Sequence, residues 1–349
     1  MTFHYERVVA PAGGLRLHLN ENTAGCSPRV LEALHNLNRT DIATYPDYDG
    51  AIAATARRLA IAPERLVLTN GLDDGILAAT VWALKGSPVT APYEAIIVVP
   101  AFDMYAACVD AVGGTVIQVP LRADFAFPRS EVIDAITPRT RAIFLTDPNN
   151  PTGLRIPRAD LEAIVAAAKG AMVFVDEAYA DFAGDSLIGN PRAEGRANVV
   201  VGRTFAKAYG LAGLRAGALV GTPETMEALR RTVPPYTLNV GATVALPAAF
   251  EDIAYFDWYL DQVRASRQLL YDALDRHGVT YWPSAANFVL ARFGADLARV
   301  LAGLAARQVI DRDRSRDPGC AGCARITTGV LAHTQRCVDA LKEVLCGVA

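Results

Sequence analysis

A lysine sits in a turn of small and apolar residues, Thr204-Phe205-Ala206-Lys207-Ala208-Tyr209-Gly210-Leu211-Ala212-Gly213-Leu214-Arg215. An ammonium is costly to take out of water, so most lysines stay on solvated surfaces. A lysine among Ala, Gly and Leu can instead serve as a nucleophilic amine that forms a Schiff base with a carbonyl compound. Thr204 and Arg215 flank it with a hydroxyl and a guanidinium, both suited to a phosphate. Further candidates follow other apolar runs. Asp147-Pro148-Asn149-Asn150-Pro151-Thr152-Gly153 is a rigid turn whose prolines present side-chain amides. Asp176-Glu177-Ala178-Tyr179 follows Met172-Val173-Phe174-Val175, so Asp176 is expected to be partly buried and to need a cationic partner. A pyridinium N–H is such a partner, and the pairing keeps the ring an electron sink. Asn70-Gly71-Leu72-Asp73-Asp74-Gly75 is a glycine turn opening a helix, whose free N–H groups can hold a phosphate.

Each segment alone has an ordinary explanation as a surface loop, a tight turn or a capped helix start. Together an amide, a carboxylate, a phenol, a hydroxyl, an amine and a guanidinium fall at the ends of three strands in chain order. That set points to pyridoxal 5'-phosphate (PLP) as cofactor.

The elements that must carry these groups alternate between short apolar runs and helix-period segments, the mark of an α/β domain with a mostly parallel sheet. Strands are expected at 66–69, 95–99, 115–119, 142–146, 172–175, 199–201 and 218–220, with helices at 73–84, 103–112 and 158–168. Ligands of such sheets bind beyond the carboxyl ends of the strands. After about residue 245 the pattern changes to a long helical stretch over 247–274. Shorter elements follow: strands at 287–291 and 325–327 and helices at 296–307 and 333–345. The first thirty residues read as irregular. A large PLP-binding domain over 31–250, with helices sandwiching a seven-stranded sheet, and a smaller α+β domain from 1–30 and 251–349 are therefore expected.

Composition agrees with a globular protein: 349 residues, 52% hydrophobic and 20% charged, with a net charge of −3. There is no basic stripe to bind nucleic acid. No apolar run is long enough for a membrane span. Met1–Arg7 lacks a signal-peptide pattern, so a cytoplasmic location is expected. The six cysteines do not form a disulfide framework. Cys320 and Cys323, with His333 and Cys337, could supply four zinc ligands, but only half of that set has tight ligand spacing. It is read as a glycine-rich loop with incidental thiols, and no metal is expected.

These motifs resemble the fold-type-I PLP aminotransferases, and among them the histidinol-phosphate aminotransferase family. The resemblance runs from Leu19-Asn20-Glu21-Asn22-Thr23-Ala24-Gly25-Cys26-Ser27-Pro28 through Tyr45-Pro46-Asp47 and the segments above. It ends at Asn287–Phe293, Arg312-Asp313 and Ala324-Arg325-Ile326-Thr327-Thr328-Gly329. It implies that Lys207 carries the cofactor and then moves protons at the substrate's α-carbon. Asp176 pairs with the pyridine nitrogen, and Asn150 and Tyr179 bond the ring's 3-oxygen. The backbone of Leu72 and Asp73, with Thr204 and Arg215, holds the phosphate, and Phe102 stacks on the ring. Tyr45 reaches the cofactor phosphate of a neighbouring subunit, which implies a homodimer. Arg325 and Arg312 bind anionic groups of the substrate, and Asn22 and Asn150 join them in the substrate site.

The activity implied is ping-pong transamination between glutamate and 2-oxoglutarate on one side and histidinol phosphate and imidazole-acetol phosphate on the other, as in histidine biosynthesis. The same fold also hosts aromatic and other amino-acid aminotransferases, threonine-phosphate decarboxylases, amino-acid oxidases and non-catalytic regulatory domains. Four positions depart from the family pattern: Thr23, Phe102, Ala206 and Val330. Thr23 and Val330 bear on substrate and loop shape.

Overall fold

The computed structural model describes residues 13–190 and 195–347. Met1–Arg7, the segment without a signal-peptide pattern, lies outside them. Thirteen strands occur among the described residues: β1 (Leu15–Arg16), β2 (Leu66–Asn70), β3 (Glu94–Val99), β4 (Thr115–Pro120), β5 (Thr140–Thr146), β6 (Met172–Asp176), β7 (Val199–Thr204), β8 (Ala216–Val220), β9 (Thr280–Trp282), β10 (Phe288–Arg292), β11 (Val309–Ile310), β12 (Arg312–Asp313) and β13 (Cys323–Thr327).

β2 to β8 form one seven-stranded sheet in the order β2-β8-β7-β6-β5-β3-β4. β4, β3, β5, β6 and β7 run parallel, and β8 is antiparallel to both β7 and β2. The strand runs expected from apolar patterning are these seven, and the fold is α/β. Their near-continuous apolar composition follows from burial on both faces. One face packs on a cluster that includes Ile143, Val173 and Val201, the other on one that includes Phe144, Phe174 and Val200. Alternate residues of each strand thus serve opposite layers. In register Thr146 lies beside Asp176, and Asp176 beside Gly202, so β5, β6 and β7 reach one level at their carboxyl ends.

Two elements differ from the sequence expectation. The stretch at 247–274 is two helices, Val240–Glu251 and Ile253–Arg276. Asp252 divides them, and its side chain accepts from the Tyr255 N–H to cap the second. A periodicity count passes over such a break because the first helix is apolar nearly all round and runs straight into the amphipathic second. The amino-terminal segment is not wholly irregular. β1 pairs parallel with β11, and Pro28–His35 is a helix capped by Ser27. A two-residue strand has too little pattern to be read from sequence. β12, β13, β10 and β9 form a separate antiparallel sheet, in which Arg312 lies opposite Arg325. No helix among the described residues is long and apolar enough to cross a membrane.

Candidate active site

The carboxyl ends of β5, β6 and β7 open into a cavity of about 400 Å³. Leu72, Asp73, Phe102, Asn150, Asp176, Tyr179, Thr204, Lys207, Arg215, Arg312 and Arg325 all line it. Sequence reasoning expected each of these at the site.

Lys207 lies in the turn after β7, and its Nζ donates to the Leu19 carbonyl at 2.9 Å. Burial, reinforced by the Arg325 charge, pulls its pKa down to about 8. A buried lysine with weakened proton affinity can act as a neutral amine. Asp176 ends β6. Its Oδ2 accepts from the Tyr105 hydroxyl at 2.5 Å, and its Oδ1 from the Ala178 N–H at 2.9 Å. Burial pushes its pKa up to about 6, and among the described residues no Lys or Arg pairs with it. A buried carboxylate held by two donors but lacking a cation is the complement of a protonated ring nitrogen, so this end of the cavity fits PLP.

The other end fits a phosphate. Gly71 starts the helix Gly71–Leu84 at φ 75°, and a side chain there would run into the Arg215 guanidinium. A Cβ on Gly217 would come within 2.6 Å of the Gly71 carbonyl carbon and 2.8 Å of the Leu72 nitrogen. The two glycines let the helix start close on β8 and leave room for Arg215, which meets Asp73 at 2.8 Å. Backbone N–H groups, a hydroxyl from Thr204 and a guanidinium then face one region.

Between the two ends, Asn150 Oδ1 accepts from Arg325 Nη1 at 2.5 Å, which turns the Asn150 amide N–H groups the other way. Arg325 Nη2 also donates to the His18 carbonyl at 2.7 Å. Tyr179 accepts at its hydroxyl from Asn20 Nδ2 at 2.9 Å, and its ring stands edge-on to Phe288. Burial raises the pKa of the Tyr179 phenol. Phe102 stands edge-on to Tyr105 with ring centres 6.0 Å apart.

Two expected residues lie elsewhere. Tyr45 is 77% exposed and stacks on Tyr236 at 4.1 Å. Asn22 lines an adjoining recess rather than this cavity. Its Nδ2 donates to the Ala208 carbonyl and its Oδ1 accepts from the Ala24 N–H, so both ends of the amide are engaged in holding the loop. Asn20, two residues earlier, is the asparagine that reaches the cavity. The departures Thr23 and Val330 meet: the Val330 N–H donates to Thr23 Oγ1 at 2.9 Å and ties the amino-terminal loop to the one after β13. The cysteines and histidine weighed for zinc are dispersed. Cys320 and Cys323 pack with Phe125 and Trp282, Cys337 lies in another apolar cluster, and His333 lines the recess.

Sequence reasoning missed His18, Glu21, Tyr105 and Arg314, which also line the cavity. Arg314 is buried and pairs with Asp317 at 2.5 Å. Its signal was the two-residue spacing from Arg312, which puts both on one face of an extended segment.

A buried amine, an unpaired buried acid and a phosphate cradle beyond the strand ends of an α/β sheet define an enzyme of amino-group chemistry. The family model "Aminotransferase class I and II" matches residues 12–341. The histidinol-phosphate aminotransferase of Moorella thermoacetica is 33% identical over 95% of this chain and 85% of its own length. Histidinol-phosphate aminotransferase 2 of Thiobacillus denitrificans is 36% identical over 95% of this chain and 91% of its own. The solved histidinol-phosphate aminotransferase of Sinorhizobium meliloti, in complex with pyridoxal-5'-phosphate, superposes with a TM-score of 0.85 at 25% identity, covering 96% of this chain and 91% of that one. The chain belongs to the class I and II aminotransferases.

Proposed function

We propose that the chain is a PLP-dependent aminotransferase acting on histidinol phosphate and 2-oxoglutarate. One observation carries this reading. Lys207, with its proton affinity lowered by burial, shares a cavity with the unpaired acid Asp176 and with the anion-binding side chains Arg312, Arg314 and Arg325. The relatives' activity supports the choice of substrate.

Each side chain has a role in this reading. Lys207 would hold the cofactor through its carbonyl carbon, with loss of water, and would move the proton at the substrate's α-carbon. Asp176, steadied by Tyr105 and Ala178, would pair with the ring nitrogen, and Asn150 and Tyr179 with the 3-oxygen. Phe102 would cover a ring face. The backbone N–H groups of Leu72 and Asp73, with the Thr204 hydroxyl and the Arg215 guanidinium, would hold the phosphate. When bound, the cofactor supplies an electron sink. Arg325, held by Asn150 and by the His18 carbonyl, receives one acidic group, and Arg312 and Arg314 favour a second. A guanidinium accepts phosphate or carboxylate, so one wall serves both substrates in turn.

The exposed Tyr45–Tyr236 stack, with Ile42 and Leu31 also exposed, supports a homodimer in which Tyr45 reaches the partner's cofactor phosphate. The same reading holds the chain to be cytoplasmic. It also keeps 31–250 as the cofactor-binding domain, with 1–30 and 251–349 as the smaller one.

A donor panel tests the substrate. Histidinol phosphate, glutamate, phenylalanine and arginine are mixed singly with cofactor-loaded protein, and loss of the visible absorption band is followed. Histidinol phosphate should react fastest apart from glutamate. If phenylalanine matches it, the chain is a broader aminotransferase.

A further inference from the structure

Asp176, the acid assigned to the cofactor's ring nitrogen, is only 4% exposed at the end of β6. A carboxyl buried in this way tends to take up a proton rather than stay charged. Most of its surroundings push the same way. Burial is the largest influence, and the Asp73 carboxylate from the helix Gly71–Leu84 and the adjoining Glu177 add to it. The Tyr179 phenol also lies within reach of the Asp176 charge. Against these stand two donors, the Tyr105 hydroxyl on Oδ2 and the Ala178 N–H on Oδ1. The balance leaves Asp176 with a pKa of about 6, so it is ionised at neutral pH by a narrow margin.

Tyr105 is placed to decide that margin. It belongs to the helix Met104–Ala111 and is wholly buried, and its ring stacks on Phe144 of β5 with centres 5.2 Å apart. Its hydroxyl sits between two oxygens, Asp176 Oδ2 at 2.5 Å and Thr146 Oγ1 at 3.0 Å. Burial and the Asp176 charge hold the phenol protonated, so it has a single hydrogen to give. An ionised carboxylate only accepts, so that hydrogen goes to Asp176. The Thr146 hydroxyl must then donate to Tyr105. Hydrogen bonds in such a chain polarise one another, and the terminal one is strengthened. We propose that Thr146 and Tyr105 are positioning residues, a donor relay from β5 to Asp176 Oδ2 that keeps this acid ionised for the cofactor's ring nitrogen. This rests on the PLP reading above and deepens it. It also commits the Thr146 hydroxyl, which lines the cavity, to the relay.

The first test uses cofactor-free protein. Infrared difference spectra across pH follow the protonated-acid band of Asp176, assigned by its loss in Asp176→Asn. Wild type should titrate near 6. Tyr105→Phe removes a hydrogen bond to the charged form, so its midpoint should rise by about one pH unit or more. Thr146→Val should give a smaller rise, and Thr146→Ser, which keeps the hydroxyl, should titrate as wild type does. The second test loads each protein with PLP isotopically labelled at its ring nitrogen and records the nitrogen resonance. Tyr105→Phe should move it toward the neutral-pyridine position. An unchanged midpoint in Tyr105→Phe, a Thr146→Val protein that titrates like wild type, or a ring nitrogen indifferent to Tyr105 would overturn the proposal. The two tests also separate this relay from the cofactor assignment. If the midpoints shift as expected but wild type cannot be loaded, the cofactor reading fails and the control of Asp176 by Tyr105 and Thr146 stands.

Discussion

The floor and the wall of the cavity are built in different ways. The floor comes from the ends of adjacent parallel strands. Asn150, Asp176, Thr204 and Lys207 each lie within a few residues of β5, β6 or β7. The wall comes from segments far apart in sequence: the Asn20 N–H donates to Thr327 Oγ1 across 307 residues, and Arg325 reaches back to His18. The floor holds groups suited to a cofactor that every substrate must meet. The wall holds the cations Arg312, Arg314 and Arg325, which in the proposed function choose among substrates. Changes in the floor should therefore affect all amino donors alike, and changes in the wall should affect their ranking.

The floor has its own contrast in two consecutive buried acids. Asp176 faces the cavity without a cation. Glu177 faces away and pairs with Arg203 at 3.2 Å, while Arg203 also pairs with Asp181 at 2.6 Å. Arg203→Met leaves Glu177 buried and unpaired. It should destabilise the protein by about 3–5 kcal/mol in chemical denaturation. A loss under 1 kcal/mol would mean that Glu177 finds other support. Asp176→Asn should instead leave stability nearly intact. It should lower kcat by roughly 10²–10³-fold for every donor, since a neutral amide cannot match a developing ring charge. A donor-selective loss would break the division between floor and wall.

Lys207 provides a pH test in cofactor-free protein. Its pKa is depressed from 10.5 to about 8 by burial. The folded state therefore binds protons less well than the unfolded chain. The stability present above 10.5 is lost as pH falls through about 8. Lys207→Met removes that cost, so it should be no more stable than wild type above pH 10.5 and more stable by up to roughly 3 kcal/mol below pH 8. A gain independent of pH would show that the ammonium is not desolvated. The smallest expected effect lies in the wall. Arg314→Ala should raise KM for histidinol phosphate by about tenfold and change phenylalanine turnover little, because a partly compensated guanidinium is lost. Equal effects on both donors would move Arg314 out of the specificity set.

Legibility in the sequence follows the same division. The inner strands of the main sheet could be read because burial on both faces leaves unbroken apolar runs such as Met172–Val175, and the half-buried edge strand β4 because of its Val116, Ile117 and Val119. The floor residues could be read because they directly follow those runs. Arg325 and Arg312 were found by family resemblance. His18, Asn20 and Arg314 were not, since their positions depend on the pairing of β1 with β11 and of β12 with β13. Strands of two residues leave no periodic trace, and bonds across hundreds of residues leave none either. Tyr105 was missed for another reason. It lies in the apolar helix Met104–Ala111, where a tyrosine reads as core until its hydroxyl is seen on Asp176.

The central claim is that Lys207 is the covalent anchor of the cofactor. The direct measurement is borohydride reduction of PLP-loaded protein, followed by peptide mass mapping. The label should fall on the peptide containing Lys207, and Lys207→Ala should take none. A label on Lys85, Lys169 or Lys342, or a protein that cannot be loaded, would contradict the claim.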